Sequence, residues 1–224
     1  MKTDAKDFLF TTLLITFNVL VTLALLIALK APGAQWAGDL APIVLFLSGM
    51  AIFGLVTAAT LAALMRALPL KDGQYDAPHA QFTLWKVQHV VAELGKAALS
   101  VFFPVFARPA FYALFGASVG KQVAVAGKIL DPRLTVLEDG CVLGEGCIVT
   151  SHTMWGEHFI LGTVRVGARA TVGVGCILMP GVTIGAGAVV LPGSVLKAGT
   201  LIGKGETWGG VPAVRIKSAA PHQA

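Results

Sequence analysis

Ten residues, Thr150 to Phe159 (T-S-H-T-M-W-G-E-H-F), bring two imidazoles and a carboxylate together as His152, Glu157 and His158. A neutral imidazole is the natural general base near neutral pH, because its unperturbed pKa is ~6.5. Held against a hydroxyl or an amine, such a base takes the proton as that group attacks, an effect of ~10²–10⁴-fold in rate. His152 is the candidate base. Glu157 is a candidate to orient an imidazole or to hold a substrate amine. His158 is a candidate second catalytic or substrate-contacting group.

These residues need a frame, and the sequence around them supplies one. Val166, Val172, Leu178, Ile184, Val190, Leu196, Ile202 and Trp208 recur at every sixth position. Neither an α-helix nor an alternating strand has a period of six. A short fixed repeat indicates a solenoid whose units bury their apolar residue only against neighbouring units. Each unit is then a very short strand and a corner, three units make one turn of a triangular prism, and Gly serves the corners. Leu137, Leu143 and Val149 begin an earlier set of the same hexads. Val166 stands seventeen residues after Val149, which is not a multiple of six. The break in phase predicts a loop inserted at Thr150–Thr163, and a loop on a rigid scaffold is where catalytic groups usually sit.

V-G-A-R-A-T, V-G-V-G-C-I, I-G-A-G-A-V and I-G-K-G-E-T resemble the hexapeptide repeats of the left-handed β-helix acyltransferases. The left-handed winding is implied by that resemblance alone, since the general rule for parallel crossovers favours the right hand. His152 stands where those enzymes carry a catalytic histidine, and the ending Trp208-Gly209-Gly210-Val211-Pro212-Ala213 resembles the turn that closes their helix beside the donor's pantetheine arm. The resemblance implies acyl transfer from a thioester, with Trp208, Gly209 and Gly210 at the donor and Lys197, Lys204 and Arg215 beside the phosphates of coenzyme A, together with Lys217. It implies acetyl-CoA or another acyl-CoA as co-substrate, no permanently bound cofactor, and a homotrimer with sites between neighbouring helices. The H-T…E…V-x-V-G run and the W-x-G-x-P-A ending also resemble the membrane-linked acyltransferase modules of polylysine-synthetase-type nonribosomal peptide synthetases, which accept an aminoacyl thioester on a carrier protein. This chain departs from them as one small module with one hairpin and no carrier domain, so free acyl-CoA is the simpler donor.

The remaining composition points to a membrane. Hydrophobic residues make up 55% of the 224 and charged ones only 13%, too apolar a balance for an ordinary soluble domain. Phe8–Leu29 and Leu40–Met65 are uncharged, and at ~1.5 Å per residue each spans a hydrocarbon core of ~30 Å. The first run is too long for the apolar core of a signal peptide, and the second follows it closely. Lys2 and Lys6 before the hairpin, and Arg66 and Lys71 after it, place both ends in the cytoplasm of an inner membrane. Asn18, Gly54, Thr57 and Thr60 are expected to serve helix–helix packing. Pro69–Ala80 reads as a linker, and Gln81–Phe115 as short amphipathic helices, broken at Pro104 and Pro109, that lie at the membrane interface and cap the solenoid. The divisions are a transmembrane hairpin over 1–66, linker and amphipathic helices over 67–115, the β-helix over 116–217, and a tail over 218–224.

A net charge of +5 without a basic run or aromatic ladder excludes nucleic-acid binding. Cys141, Cys147 and Cys176 fall at small-residue positions of the repeat, and an odd count with no C-x-x-C makes no case for zinc or a disulfide framework. The expected function is a membrane-anchored acyltransferase that moves a short acyl group from coenzyme A to a hydroxyl or amine, on a lipid-linked, glycan or secondary-metabolite acceptor. Two other readings exist. A γ-carbonic-anhydrase-like metal hydratase needs a third well-placed histidine, and a non-catalytic trimerising scaffold would not need the histidine-bearing insertion.

Overall fold

The computed structural model describes residues 5–76 and 79–218, so most of the expected tail lies outside the described residues. The chain forms two compact units.

The first unit holds α1 (Ala5–Ala37), α2 (Ala41–Ala67) and α3 (Ala80–Ser100). The uncharged runs become α1 and α2, both long and apolar enough to cross a membrane. Between the two runs the chain stays helical to Ala37 and turns at Gly38–Leu40, where Gly38 takes φ 53°, a conformation natural to glycine just past a helix end. Phe8, Phe17, Ile27 and Phe46 are each more than half exposed, leaving apolar surface along both helices. Thr60 Oγ1 donates to Asn18 Oδ1 at 2.6 Å, joining the two helices. A Cβ on Gly54 would stand 2.2 Å from Leu99 Cγ, so the absence of a side chain there is what seats α3 on α2. Residues 80–100 form one continuous helix rather than several short ones, because both prolines lie beyond Ser100 and the buried Phe82, Trp85, Ala92 and Leu99 share a helical face. Lys86 pairs with Asp7, and Gln88 Nε2 donates to the Leu68 carbonyl at 2.9 Å.

The second unit is built from five coils. Three parallel sheets each take one short strand from successive coils and form a three-faced parallel β-helix. The second residue of each strand points inward: Leu143, Val149, Val172, Leu178, Ile184, Val190 and Leu196 are at most 1% exposed. Each such burial is worth about 1.5–3 kcal/mol. Register pairs inward residues eighteen apart, Val166 with Ile184 and Ile184 with Ile202. Between the second and third coils the pairs are Leu137 with Val166 and Val149 with Leu178, twenty-nine apart, so eleven residues are inserted.

A first coil, out of step with the sixes, precedes those legible in the sequence. Val119, Val125 and Ile129 pair with Leu137, Leu143 and Val149. The interval from Val125 to Ile129 is short and that from Ile129 to Leu137 is long. The surplus is taken up as a 3₁₀ turn at Pro132–Leu134. α4 (Arg108–Leu114) covers the open end of this coil with Phe111, Tyr112 and the adjoining Phe115. Tyr112 Oη accepts the Ile129 N–H at 3.2 Å, and Arg108 donates to the Ala126 carbonyl at 2.5 Å. The expected linker is not loose. Its residues Gly73–Asp76 form a strand of this unit.

Candidate active site

The inserted loop is a β-hairpin with strands His152–Trp155 and His158–Leu161, turning at Gly156 with φ 63°. Gly73–Asp76 adds antiparallel to the second strand and makes a three-stranded sheet. The hairpin returns to the coils through Gly162, where a Cβ would meet the Gly181 nitrogen at 2.6 Å, so only glycine allows this approach.

Side chains alternate between the faces of a sheet. Cross-strand partners place Gly73, Leu161 and His152 in one row, and Asp76, His158 and Trp155 in another of opposite face. Burial fixes which face is which: Phe159 and Leu161 are 0% and 2% exposed, whereas Trp155 is 80% exposed. His152 therefore faces inward and His158 outward. The two imidazoles that the sequence sets side by side do not share a site.

His152 meets a carboxylate that sequence spacing did not single out. Its Nδ1 lies 2.5 Å from Asp131 Oδ2. Asp131 is fully buried immediately before the 3₁₀ turn of the first coil. The same Oδ2 accepts the Ser151 N–H at 3.1 Å, while Arg133 stands 3.7 Å from Oδ1. Ser151, also fully buried, donates from Oγ to the Leu134 carbonyl at 2.8 Å and so ties the hairpin base to that turn. Thr150 Oγ1 donates to the His152 carbonyl at 2.8 Å. A carboxylate on Nδ1 makes that nitrogen the protonated one and leaves the lone pair on Nε2. The His152 side chain is 21% exposed, enough to meet an incoming group while its other nitrogen stays anchored.

Glu157 sits on the exposed hairpin turn, and the position expected to orient the imidazole is held by Asp131 instead. His158 bonds Asp76 at 2.6 Å on the outer face. A signal for Asp131 did exist: D-P-R-L occupies the long interval between Ile129 and Leu137, where the inward residues fall out of step.

The expected donor-binding residues gather at the far end of the coils. The strand Thr207–Gly210 pairs antiparallel with Ala213–Lys217, and the Val211–Pro212 bond between them is cis. Trp208 is half-buried and in register with Val190, while its indole N–H donates to Glu206 at 2.9 Å. Gly209 is buried, where a Cβ would lie 2.9 Å from Ile216 and 3.0 Å from Leu191. The Gly210 N–H reaches Ser194 Oγ at 3.2 Å. Lys197 and Lys204 are exposed on the last coils. Arg215 already pairs with Glu206 at 3.1 Å, which offsets part of the positive charge expected there.

No family model matches the sequence, and no curated protein matches it. Solved structures do resemble it. A hexapeptide-repeat-containing acetyltransferase of Vibrio cholerae, complexed with acetyl coenzyme A, has 20% identity and a TM-score of 0.42, over 47% of this chain and 61% of that one. PerB of Caulobacter crescentus, in complex with CoA and GDP-perosamine, has 24% identity and a TM-score of 0.33, over 46% of this chain and 52% of that one. A serine acetyltransferase of Brucella abortus, in complex with coenzyme A, has 15% identity and a TM-score of 0.41, over 76% of this chain and 57% of that one. This chain thus spans between half and two thirds of the length of each of these three solved proteins to which it is similar.

Proposed function

We propose that this protein is a membrane-anchored acyltransferase in which His152 is the general base. The observation that carries the reading is the 2.5 Å contact between His152 Nδ1 and the fully buried Asp131 carboxylate. A buried acceptor fixes the imidazole tautomer and ring orientation and stabilises the imidazolium that forms when Nε2 takes a proton. The donor is acetyl-CoA or another short acyl-CoA. Its thioester lies at Nε2 and its phosphates near Lys197 and Lys204, two to three coils away, roughly 10–15 Å at ~4.8 Å per coil. The acceptor's hydroxyl or amine loses its proton to Nε2, its heteroatom attacks the thioester carbon, and the collapsing intermediate expels the coenzyme A thiolate, which takes up the proton. The coil is left-handed and the assembly a homotrimer, as in the acyltransferases whose repeats these hexads resemble. The α1–α2 hairpin spans the inner membrane with both ends cytoplasmic, which favours an acceptor held at the lipid surface.

Purified protein in detergent, given acetyl-CoA and a panel of amine and hydroxyl acceptors, is expected to release free thiol only with a competent acceptor. His152→Ala is expected to lower kcat by roughly 10²–10⁴-fold. Full activity in that variant rules out the base assignment.

A further inference from the structure

The strand Gly73–Asp76 begins shortly after α2 ends at Ala67, and it pairs over all four residues with His158–Leu161, the hairpin strand opposite His152. The pairing is fastened at both ends. Thr163 Oγ1 donates to Asp72 Oδ1 at 2.9 Å just beyond Leu161, and Asp76 Oδ1 meets His158 Nδ1 at 2.6 Å beside the hairpin turn. Tyr75 Oη donates to the Lys71 carbonyl at 2.8 Å, folding the start of the segment onto itself. A two-stranded hairpin alone is marginal in water, and a third strand is what gives such a sheet stability of its own. Without Gly73–Asp76 the strand His158–Leu161 would be an open edge, and His152 would sit on a ribbon held only at its base.

We infer that the segment leaving the second apolar helix is a positioning element for the base, with Asp72 and Asp76 as its positioning residues. The inference rests on the reading of His152 as the base. The two fasteners are exposed polar contacts, which add little to global stability. Their loss should therefore loosen the hairpin without unfolding the β-helix. The same arrangement makes the geometry of His152 depend on the chain that emerges from α2.

The test uses the full chain carrying Asp72→Ala and Asp76→Ala together, with Asp76→Asn as a milder second variant. Hydrogen exchange of the 152–161 amides is expected to accelerate about tenfold while that of the inward strands Thr171–Val190 stays unchanged. kcat is expected to fall five- to tenfold with the KM for acetyl-CoA within twofold of its original value. Unchanged exchange in the hairpin overturns the proposal, as does accelerated exchange with kcat unaltered. Activity surviving His152→Ala would instead remove the base reading, and the exchange measurement would still report on the clamp.

Discussion

Asp131 determines how His152 can act. With Nδ1 committed to a buried carboxylate, Nε2 is the nitrogen that can carry the base's lone pair, and turning the ring would cost that contact. Asp131→Asn keeps the volume but loses the charge that stabilises an imidazolium. We expect kcat to drop by roughly 10²-fold or more with the KM for the donor little changed, read from steady-state thiol release. Cys141 and Cys147 offer no competing nucleophile. Burial pushes the Cys141 thiol up to about 11, and a hydrogen bond with the Cys176 sulfur, together with burial, pushes Cys147 up as well. Buried protonated thiols are poor nucleophiles; the same hydrogen bond lowers the Cys176 thiol to about 6, but that residue has no exposed surface on which to meet a substrate.

Two kinds of position make the coil possible. After an inward residue the backbone approaches the next coil so closely that a Cβ at Gly173 would stand 2.5 Å from the Pro192 nitrogen. Gly173→Ala is therefore expected to destabilise the β-helix by about 1–3 kcal/mol, measured by thermal or denaturant unfolding. Left-handed corners follow at six-residue intervals, and Arg169 occupies one of them at φ 56° between Gly-bearing corners. At the closing turn, the Trp208 indole, the Gly203 N–H and Arg215 converge on Glu206 and hold its carboxyl below the usual carboxylate range. A depressed folded pKa contributes stability above the unfolded value, and that stability is lost as pH falls through the lower folded one. The closing strands are thus expected to loosen below about pH 4, seen as faster hydrogen exchange at 207–217. Glu206→Gln should flatten that dependence.

For the molecule as a whole, the apolar faces of α1 and α2 argue for lipid as solvent. If the hairpin spans the bilayer, the protein stays in the membrane pellet after high-salt and alkaline washes and is released only by detergent. Recovery in the supernatant after an alkaline wash would refute the span. Inside the helical unit Asn18 Oδ1 accepts from Thr60 and Asp7 pairs with Lys86, which lowers the cost of holding these groups away from water.

The period of six was legible because a solenoid is nearly one-dimensional. Each inward residue meets its counterparts one coil away, so the pattern repeats along the chain, and Val166 to Ile202 can be counted without knowing the fold. The two spans were legible for a similar reason, since their apolar character depends only on local composition. The insertion was visible as lost phase, but the pairing of its residues was not. His152 and His158 are close in sequence, and strand parity sends them to opposite faces. Asp131 comes twenty-one residues before His152, and Asp76 eighty-two before His158. Both pairings follow from where out-of-phase chain segments come to rest. Sequence thus determined the repeat, the helices and the candidate base. Tertiary structure decided which carboxylate meets it, because that contact depends on the path of the first coil and not on any local period.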